Sequence, residues 1–449
     1  MTGTGDRWPE SLSVSGDPIR VAVIGGGAAG TLATIALLRG SPRVTVQLIE
    51  RRDTAGPGLA YGTREPSHLL NNYAGRLSVF ESDPDHFVRW CVDHDLPEGP
   101  DTFARRGVYG WYLSDVLAGE ESLAGGRLTR LRGDVVDLGD TGGEYVVSLA
   151  QGYTVTADAA VLALGTPPPR RVPDYESRGR RFLPDPWAPD LVDRVPDGSR
   201  VLLVGSGLTM VDAALLLAEA RPRAQLTSVS RHGLLPLPHV RRGPRVLPPL
   251  SLGSATLADV LREVRLAVGE AQHRGADWRD VVDAVRPVAN EVWRGLSVRH
   301  RERFLRHVAR RWEVVRHRMA PEVAERVDEL RSSGTLRVVT ADRLGAEKFD
   351  VVINCAGPAP VGTPGWSLLL DHLIVRGSVH PDRLGLGLDV DHDGALIGER
   401  GIARGLYAIG AARRGEGWEV SAVPDLRVQA TSLAVRILAA HTHGIEAAG

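Results

Sequence analysis

Residues 25–30 form a glycine-rich loop whose spacing suits the binding of a dinucleotide. The loop follows a short β-branched run and precedes residues that favour a helix. Gly25 allows a tight turn off the strand, Gly27 lets the backbone approach a pyrophosphate, and Gly30 lets the helix pack on the strand. Glu50 follows Gly30 by 20 residues, where a carboxylate can accept hydrogen bonds from ribose hydroxyls. The spacing predicts a nucleotide site, and a glycine-rich turn without a ligand is the alternative.

A second glycine loop starts at Gly205 and continues through Gly207. Met210 stands where a third glycine would allow the closest contact between helix and strand, so this motif is the weaker of the two. Ser230 and Arg231 follow the next apolar run, and no acidic residue occupies the ribose position. Because a guanidinium binds phosphate through two parallel hydrogen bonds, Arg231 favours NADPH over NADH. An arginine in a solvated loop is the alternative.

The two loops need parallel strands and flanking helices to position them. Apolar runs with strand or helix periodicity surround both loops. They lie at 19–24, 31–39 and 44–49 in the first unit and at 200–204, 208–217 and 225–229 in the second. The pattern predicts an α/β fold with two βαβ units about 180 residues apart.

Weaker patterns predict the elements outside these two units. A helix is expected near 107–117 and a β-meander across 128–155. From Thr256 onward the periodicity becomes helical, and Thr256 with Asp259 makes an N-terminal capping pair. The last block, 351–355 and 405–438, is predicted to add a strand, a loop and a long helix that close the first sheet.

Composition argues against several functional classes. The chain has 449 residues with 54 basic and 55 acidic side chains, so no overall field attracts nucleic acid or an anionic membrane. Its two cysteines, Cys91 and Cys355, form no CxxC pair, and neither a redox dithiol nor a metal site is predicted. The polar N-terminus lacks a signal-peptide pattern, and these features favour a cytoplasmic protein. They leave the oligomeric state open.

Several short motifs resemble those of a known flavoprotein family. They are residues 56–63 (GPGLAYGT), 68–71 (HLLN), 106–112 (RGVYGWY), 185–187 (DPW), 230–233 (SRHG) and 354–358 (NCAGP). Together with the glycine loops, they are similar to the FAD-NAD(P)-binding family, which the nitrosuccinate-forming aspartate N-oxygenases also resemble. The resemblance implies a flavoprotein with two dinucleotide-binding domains, with FAD at the first loop and NADPH at the second.

The resemblance also implies a division of the chain into parts. Residues 1–17 are expected to be a flexible tail, and 18–170 with 340–449 a discontinuous, Rossmann-like FAD-binding domain. Residues 171–242 are expected to be an inserted NADPH-binding domain. Residues 243–339 are then a helical segment on the substrate side.

Residues spread along the chain are implied to hold the two cofactors. Gly410 and Trp418 are expected to approach the isoalloxazine ring. A strand that ends at Gly410 before a long helix supports this independently, because the glycine allows close backbone approach, while a packed core aromatic is the alternative for Trp418. The implied cofactor-binding residues are Gly25, Gly27, Ala28, Ala29, Gly30, Glu50, Arg51, Gly58, Leu59, Tyr61, Asn71, Gly165, Gly205, Gly207, Thr209, Ser230, Arg231, Gly357, Gly410 and Trp418.

The helical segment is the expected specificity element. Arg303, His307 and Arg310 lie opposite an apolar stripe, and one or two of them facing the flavin would select a substrate with a carboxylate. A solvated helix face is the alternative. Candidate proton carriers near neutral pH are His68, His239 and His317.

The cofactors and the resemblance together imply a reaction class. The sequence lacks the CxxC of disulfide reductases and the FxGxxxHxxxW signature of Baeyer–Villiger enzymes. The expected activity is that of an FAD-dependent, NADPH-consuming monooxygenase. It would use O₂ and a C4a-hydroperoxyflavin to N-hydroxylate a small amine or an acidic amino acid in secondary metabolism. A flavin oxidoreductase that inserts no oxygen and a non-catalytic flavin-binding module are the alternatives.

Overall fold

The computed structural model describes residues 18–241, 243, 246–253 and 256–446. The predicted tail, 1–17, lies outside these residues. Three sheets and their covering helices make an α/β fold, as the alternating pattern predicted. Among the described residues, no helix has the length and apolar character needed to span a bilayer.

The strands are numbered in chain order within the described residues. They are β1 Ile19–Ile24, β2 Val44–Glu50, β3 Leu128–Arg132, β4 Val135–Asp140, β5 Tyr145–Leu149, β6 Thr154–Ala157, β7 Ala159–Leu162, β8 Gly179–Leu183, β9 Arg200–Val204, β10 Gln225–Ser230, β11 Leu336–Thr340, β12 Phe349–Asn354, β13 Ala395–Gly398 and β14 Gly401–Ala408.

The α-helices are numbered in the same way. They are α1 Ala28–Gly40, α2 Gly58–Tyr61, α3 His86–Asp93, α4 Arg106–Leu123, α5 Pro173–Glu176, α6 Leu208–Ala220, α7 Leu257–His273, α8 Trp278–Val285, α9 Ala289–Gly295, α10 Val298–His307, α11 Ala309–Arg316, α12 Pro321–Ser332, α13 Leu368–Val375 and α14 Val423–Glu446.

The first sheet has the order β13-β14-β7-β1-β2-β3, and only the β13–β14 pair is antiparallel. Val21 and Val23 of β1 face the core formed with α1, α4 and α14, whereas Ala22 and Ile24 face the core formed with the meander β4–β6 and α13. Both faces are covered, which explains why β1 is apolar without alternation from Val21 to Ile24.

The second sheet is parallel throughout, in the order β11-β10-β9-β12-β8. The prediction that residues 351–355 close the first sheet was wrong. In β12, Val351 pairs with Val201 of β9, and on its other side the same residue pairs with Arg181 of β8. A continuous apolar run fits the centre of any two-sided parallel sheet, so the run itself carried no information about its partner.

Two connections join the sheets and are hydrogen-bonded to each other. The Arg170 backbone N–H donates to the Gly357 carbonyl at 2.9 Å, and the Ala359 N–H donates to the Pro168 carbonyl at 2.8 Å. The Asn354 side-chain amide adds a bond to the Arg170 carbonyl at 2.9 Å. The second sheet is thus inserted into the first through two hydrogen-bonded connections, in agreement with the inserted second domain that the resemblance implied.

The predicted helical segment contains α7 to α12. Arg303, His307 and Arg310 were expected opposite one apolar stripe, but the chain breaks at Val308 between α10 and α11. The break separates the basic residues of the two helices. Arg303 and His307, on α10, are exposed, whereas Arg310, on α11, is half-buried.

Candidate functional site

The first glycine loop connects β1 to α1 and forms a cradle against the neighbouring strand β7. Gly25 has φ +104°, and a Cβ added there would lie 2.3 Å from the Ala163 carbonyl oxygen, so only glycine fits this turn. The Gly30 position, in the first turn of α1, would bring a Cβ to 1.8 Å from the Gly25 carbonyl oxygen. These contacts give the first and third glycines of the motif a steric reason.

Glu50 ends β2 beside this loop. One carboxylate oxygen, Oε2, accepts from the Gly26 N–H at 2.7 Å, and the other, Oε1, accepts from the Arg52 N–H at 2.9 Å. The backbone therefore fixes the carboxylate at the carboxyl end of the strand, where a ribose would be recognised. Arg51 is exposed next to it.

The opposite wall of this cradle comes from the segment before α2. A Cβ added at Gly58 would lie 2.9 Å from the Gly27 Cα, and the Gly56 N–H donates to the Gly26 carbonyl at 2.7 Å. A Cβ added at Gly27 would have one described atom within 4 Å, the Gly58 Cα at 3.4 Å. The backbones of the two glycines thus lie in van der Waals contact, with no room for a side chain on Gly58. Beyond Gly58, Leu59 is exposed and the Tyr61 ring packs on a core tyrosine.

Two distant turns complete the border of the first cradle. A Cβ added at Gly410 would contact the Ala29 Cβ at 3.4 Å, which places the turn after β14 at the start of α1, next to Ala28 and Ala29. The Gly410 N–H donates to the Gln429 Oε1 at 2.9 Å. Gly165, just after β7, has φ +74° and no described atom within 4 Å of an added Cβ.

The second cradle repeats this geometry on the second sheet. Gly205 has φ +127°, and an added Cβ would lie 2.2 Å from the Cys355 carbonyl oxygen of the neighbouring β12, matching Gly25 against β7. An added Cβ at Gly207 would meet no described atom within 4 Å, and Thr209 lies in the first turn of α6. Gly357 follows β12 with φ +82°, as Gly165 follows β7. Because β12 belongs to the second sheet, the Gly357 that follows it lies at the second cradle.

Arg310 binds this second loop instead of facing an open substrate pocket. Its Nη2 donates to the Leu234 carbonyl at 2.6 Å and to the Ser206 carbonyl and hydroxyl at 3.2 and 3.1 Å. Ser206 in turn bonds the Ser230 hydroxyl at 2.8 Å, and Arg231 is exposed beside it. Arg310, which was expected on a substrate-binding face with Arg303 and His307, thus contacts the second cradle, beyond the break at Val308.

The second cradle is held on the first part of the chain by a buried ion pair. Arg106 Nη1 of α4 lies 2.8 Å from Asp212 Oδ2 of α6, with side chains 15% and 7% exposed. Burial raises the pKa of Asp212, although Arg106 opposes that rise. Leu69 and Leu208 pack against the same apolar cluster. The helix that follows the second glycine loop thus rests on the segment that borders the first cradle.

Polar groups from four parts of the chain, four side chains and the Asn71 backbone carbonyl, meet beside the cradles. We call this set the polar junction; it consists of Asn71, His239, Arg316, His317 and Glu419. The His239 Nε2 lies 3.1 Å from the Asn71 carbonyl, and Arg316 Nη2 donates to Glu419 Oε2 at 3.0 Å. The Arg316 and Glu419 side chains are 11% and 5% exposed. Glu419 Oε1 is buried without a hydrogen-bond partner among the described residues.

The charges at the polar junction follow from burial and from its arginines. Burial opposes ionisation of Glu419, but Arg316 and other nearby cations outweigh it and lower the pKa of the carboxyl. Desolvation, assisted by nearby arginines, lowers the pKa of His239 to about 3 and that of His317 to about 4. Desolvation also lowers the pKa of His68. At neutral pH the junction holds a charged Glu419 and neutral imidazoles, which disfavours these histidines as proton carriers there.

Trp418 packs on the helical segment. Its ring centroid is 5.1 Å from that of Trp293 and 4.8 Å from that of Phe304, and the Arg414 guanidinium lies 4.5 Å from it. The side chain is 8% exposed within this aromatic cluster. This packing matches the alternative of a core aromatic, so any approach of this segment to a flavin is through neighbouring residues.

Sequence reasoning missed two polar residues that organise the site. Gln429, besides bonding Gly410, donates to the Val420 carbonyl at 2.8 Å and so ties the Gly410 turn to the polar junction. Asn290 bonds both backbone groups of Glu419, at 2.7 and 2.8 Å. For Gln429 the sequence offered one signal, a glutamine among the apolar positions of a long helix, where it is buried. For Asn290 the sequence offered no signal.

The comparisons with known proteins agree with this architecture. Residues 22–167 match the model of the FAD-NAD(P)-binding family. The fold is shared with L-lysine 6-monooxygenase from Pseudomonas syringae, with a TM-score of 0.60 and 15% identity over 94% of this chain and 99% of that chain. It is also shared with an ornithine N-hydroxylase from Kutzneria sp. 744, solved with reduced FAD, NADP⁺ and L-ornithine, at a TM-score of 0.58 and 18% identity over the same shares.

One curated relative matches by sequence. It is the uncharacterized protein YdhS of Escherichia coli K12, 24% identical over 307 residues, which are 58% of this chain. The match spans 56% of the length of YdhS.

The fold is that of the flavoproteins with two dinucleotide-binding domains. The match of residues 22–167 to the FAD-NAD(P)-binding model agrees with the predicted resemblance and with FAD and a nicotinamide dinucleotide as cofactors. The residues present fit both groups: Gly207 opens to free space before the second helix, a Cβ added at Gly27 before the first would have the Gly58 Cα at 3.4 Å beside it, and the backbone fixes the Glu50 carboxylate where a ribose would lie.

Proposed function

We propose that this protein is an FAD-dependent, NADPH-consuming monooxygenase that hydroxylates the nitrogen of a small amine or amino acid. The observation that carries the proposal is the repeat of one cradle geometry on two joined sheets. A Cβ added at Gly25 would lie 2.3 Å from the Ala163 carbonyl oxygen, and one added at Gly205 would lie 2.2 Å from the Cys355 carbonyl oxygen. The Arg106–Asp212 pair holds the second cradle on the first, as hydride transfer between two bound dinucleotides requires.

The residues of the first cradle bind and orient FAD in this proposal. Gly27 and Gly58 admit the pyrophosphate, and Glu50 accepts from the adenosine ribose. The Gly410 turn, fixed by Gln429, borders the other end of the cradle. Bound FAD, reduced by NADPH, supplies the activation of O₂, while the protein positions the reactants and limits water.

The polar junction is the proposed substrate side. An amino acid presents both an amine and a carboxylate, and the junction holds a carboxylate and an arginine that are both nearly buried. Glu419 Oε1 offers an unused acceptor for an amine N–H. Gln429 links this residue's neighbour Val420 to the Gly410 turn, which keeps the junction adjacent to the first cradle.

Dithiol chemistry finds no support in either cysteine. Cys91 and Cys355 are both buried. Burial raises the pKa of the Cys91 thiol to about 12 and also raises that of Cys355. A redox-active cysteine requires an accessible thiolate, so these side chains are structural.

The test is an oxygen and electron balance with a panel of amines and amino acids. The balanced reaction is R–NH₂ + O₂ + NADPH + H⁺ → R–NHOH + NADP⁺ + H₂O. A true substrate should consume NADPH and O₂ equally, release little peroxide and yield a hydroxylamine that carries one atom of labelled O₂. A product free of label would instead indicate an oxidoreductase that inserts no oxygen. A flavin that NADPH does not reduce would indicate a binding module.

A further inference from the structure

The two cradles differ at the end where the adenosine ribose of a dinucleotide lies. In the first cradle the middle loop residue, Gly26, bonds the Glu50 carboxylate that ends β2. In the second, the equivalent loop residue Ser206 bonds the hydroxyl of Ser230, which ends β10. The Ser206–Ser230 contact therefore marks the ribose end of the second cradle, with a hydroxyl where the first has a carboxylate.

Arg310 reaches this ribose end from α11. The three bonds to Ser206 and Leu234 all use one nitrogen, Nη2. Its Nη1 has an ion pair with Glu313 at 3.9 Å, longer than a hydrogen bond. The side chain is 28% exposed. The guanidinium is thus anchored on one side and has N–H donors left over for a ligand.

Arg231 brings a second guanidinium to the same place. It follows Ser230 directly, is exposed, and has no hydrogen bond or ion pair within the described residues. Arg231 is close enough to lower the pKa of Arg310 electrostatically, after the larger effect of desolvation. Two neighbouring guanidinium groups, with one carboxylate 3.9 Å from Arg310, leave a net positive charge that favours an anion, and a phosphate with two charges suits two guanidinium groups.

We propose that Arg310, together with Arg231, binds the 2′-phosphate of NADPH. The helical segment, expected to read the substrate, thereby supplies a residue that selects the cofactor. This inference rests on the proposed function only in that the second cradle holds NADPH. It makes Arg310 a specificity residue and leaves Arg303 and His307 as exposed side chains on α10.

Calorimetric titration of the FAD-loaded protein with two nucleotide probes tests the inference. Adenosine 2′,5′-bisphosphate carries the phosphate in question, and 5′-AMP lacks it. The unmodified protein should bind the bisphosphate at least about tenfold more tightly. Arg310→Gln should remove most of that preference and leave the Kd for 5′-AMP unchanged. Arg231→Gln should have the same two effects.

Two further variants separate recognition from folding. Arg310→Lys keeps the charge and should restore part of the preference. Arg311→Gln alters the neighbouring, exposed arginine and should change neither Kd. Bound FAD and melting temperature report folding in each case.

The outcomes are separable from those of the oxygen balance. If Arg310→Gln weakens both probes equally, Arg310 only supports the loop and the inference is overturned. It is equally overturned if the unmodified protein shows no preference for the bisphosphate, even where hydroxylamine is formed. A preference that follows Arg310 upholds it, whatever the fate of O₂.

Discussion

Replacing Gly207 by alanine should abolish tight NADPH binding without harming the fold. Gly207 has φ −90°, which any residue adopts, and an added Cβ meets no described atom within 4 Å. A change from glycine to alanine at such a position typically stabilises a protein by ~0.4–1 kcal/mol, because it restricts the unfolded chain. The melting temperature should therefore stay the same or rise slightly.

The same methyl group occupies the space that the pyrophosphate needs. Forcing one extra carbon into a close contact costs ~1–3 kcal/mol, which is roughly 5- to 150-fold in Kd. Gly27→Ala is the crossed variant, since Gly27 has φ −74° and faces Gly58 Cα at 3.4 Å. It should lose FAD by a similar factor and leave the second cradle intact.

The assay measures both cofactors in each variant. Bound FAD is measured by absorbance after denaturation, and NADPH affinity by anaerobic titration. Gly207→Ala should keep its FAD, Gly27→Ala should purify depleted of it, and Gly119→Ala, on an exposed part of α4, should match the unmodified protein in both. If Gly207→Ala binds NADPH normally, the pyrophosphate does not lie on this loop and the assignment of the second cradle is wrong.

Three other changes probe the site and its supports. Glu419→Gln leaves the buried Arg316 without its ion-pair partner and should lower the free energy of unfolding, measured in urea, by ~3 kcal/mol. The control Asp53→Asn, in an exposed ion pair, should lower it by less than ~1 kcal/mol, and equal losses would contradict the burial argument. The pKa of His239 is about 3 in the folded protein and about 6.5 in the unfolded chain. The stability that its neutral form contributes is therefore complete above about pH 6.5 and is lost as the pH drops below that value. Its own share of the loss is ~2 kcal/mol between about pH 6.5 and 5, and His239→Gln should remove that share while His68 and His317, whose pKa values are also lowered, keep theirs; an unchanged slope would refute the burial. Arg106→Gln leaves Asp212 without its cation and should slow anaerobic flavin reduction by NADPH at unchanged FAD content; an unchanged rate would show that this contact does not align the domains.

The cradles were predictable because their chemistry leaves few alternatives to glycine. At Gly25 and Gly205 a positive φ coincides with a carbonyl oxygen less than 2.5 Å from any Cβ. Such steric demands are local, and the flanking strands and helices have their own periodicity. The fold class and both loops could therefore be predicted from the chain alone.

The differences between prediction and structure concern which elements and side chains pack together, which sequence periodicity does not specify. The residues of β12 form an apolar run that fits either sheet, and its pairing with β9 decides the matter. The orientation of Arg310 depends on the helix break at Val308, for which the sequence has neither proline nor glycine as a signal. Trp418 is set by contacts with the helical segment, whose residues lie more than a hundred positions away.

The polar junction shows the same limit on a larger scale. Asn71, His239, Arg316 and Glu419 come from four separate stretches of the chain. None of them has a motif spacing relative to the others, so their meeting is a property of how the sheets are joined. Candidate substrate contacts could be recognised only after the fold brought them together.

Anaerobic addition of NADPH to the purified, FAD-loaded protein tests the central claim most directly. Two dinucleotides in adjoining cradles should allow hydride transfer, so the yellow flavin absorbance should bleach, and later admission of O₂ should restore it. A protein that binds no flavin, or whose bound flavin stays oxidised in excess NADPH, would contradict the account.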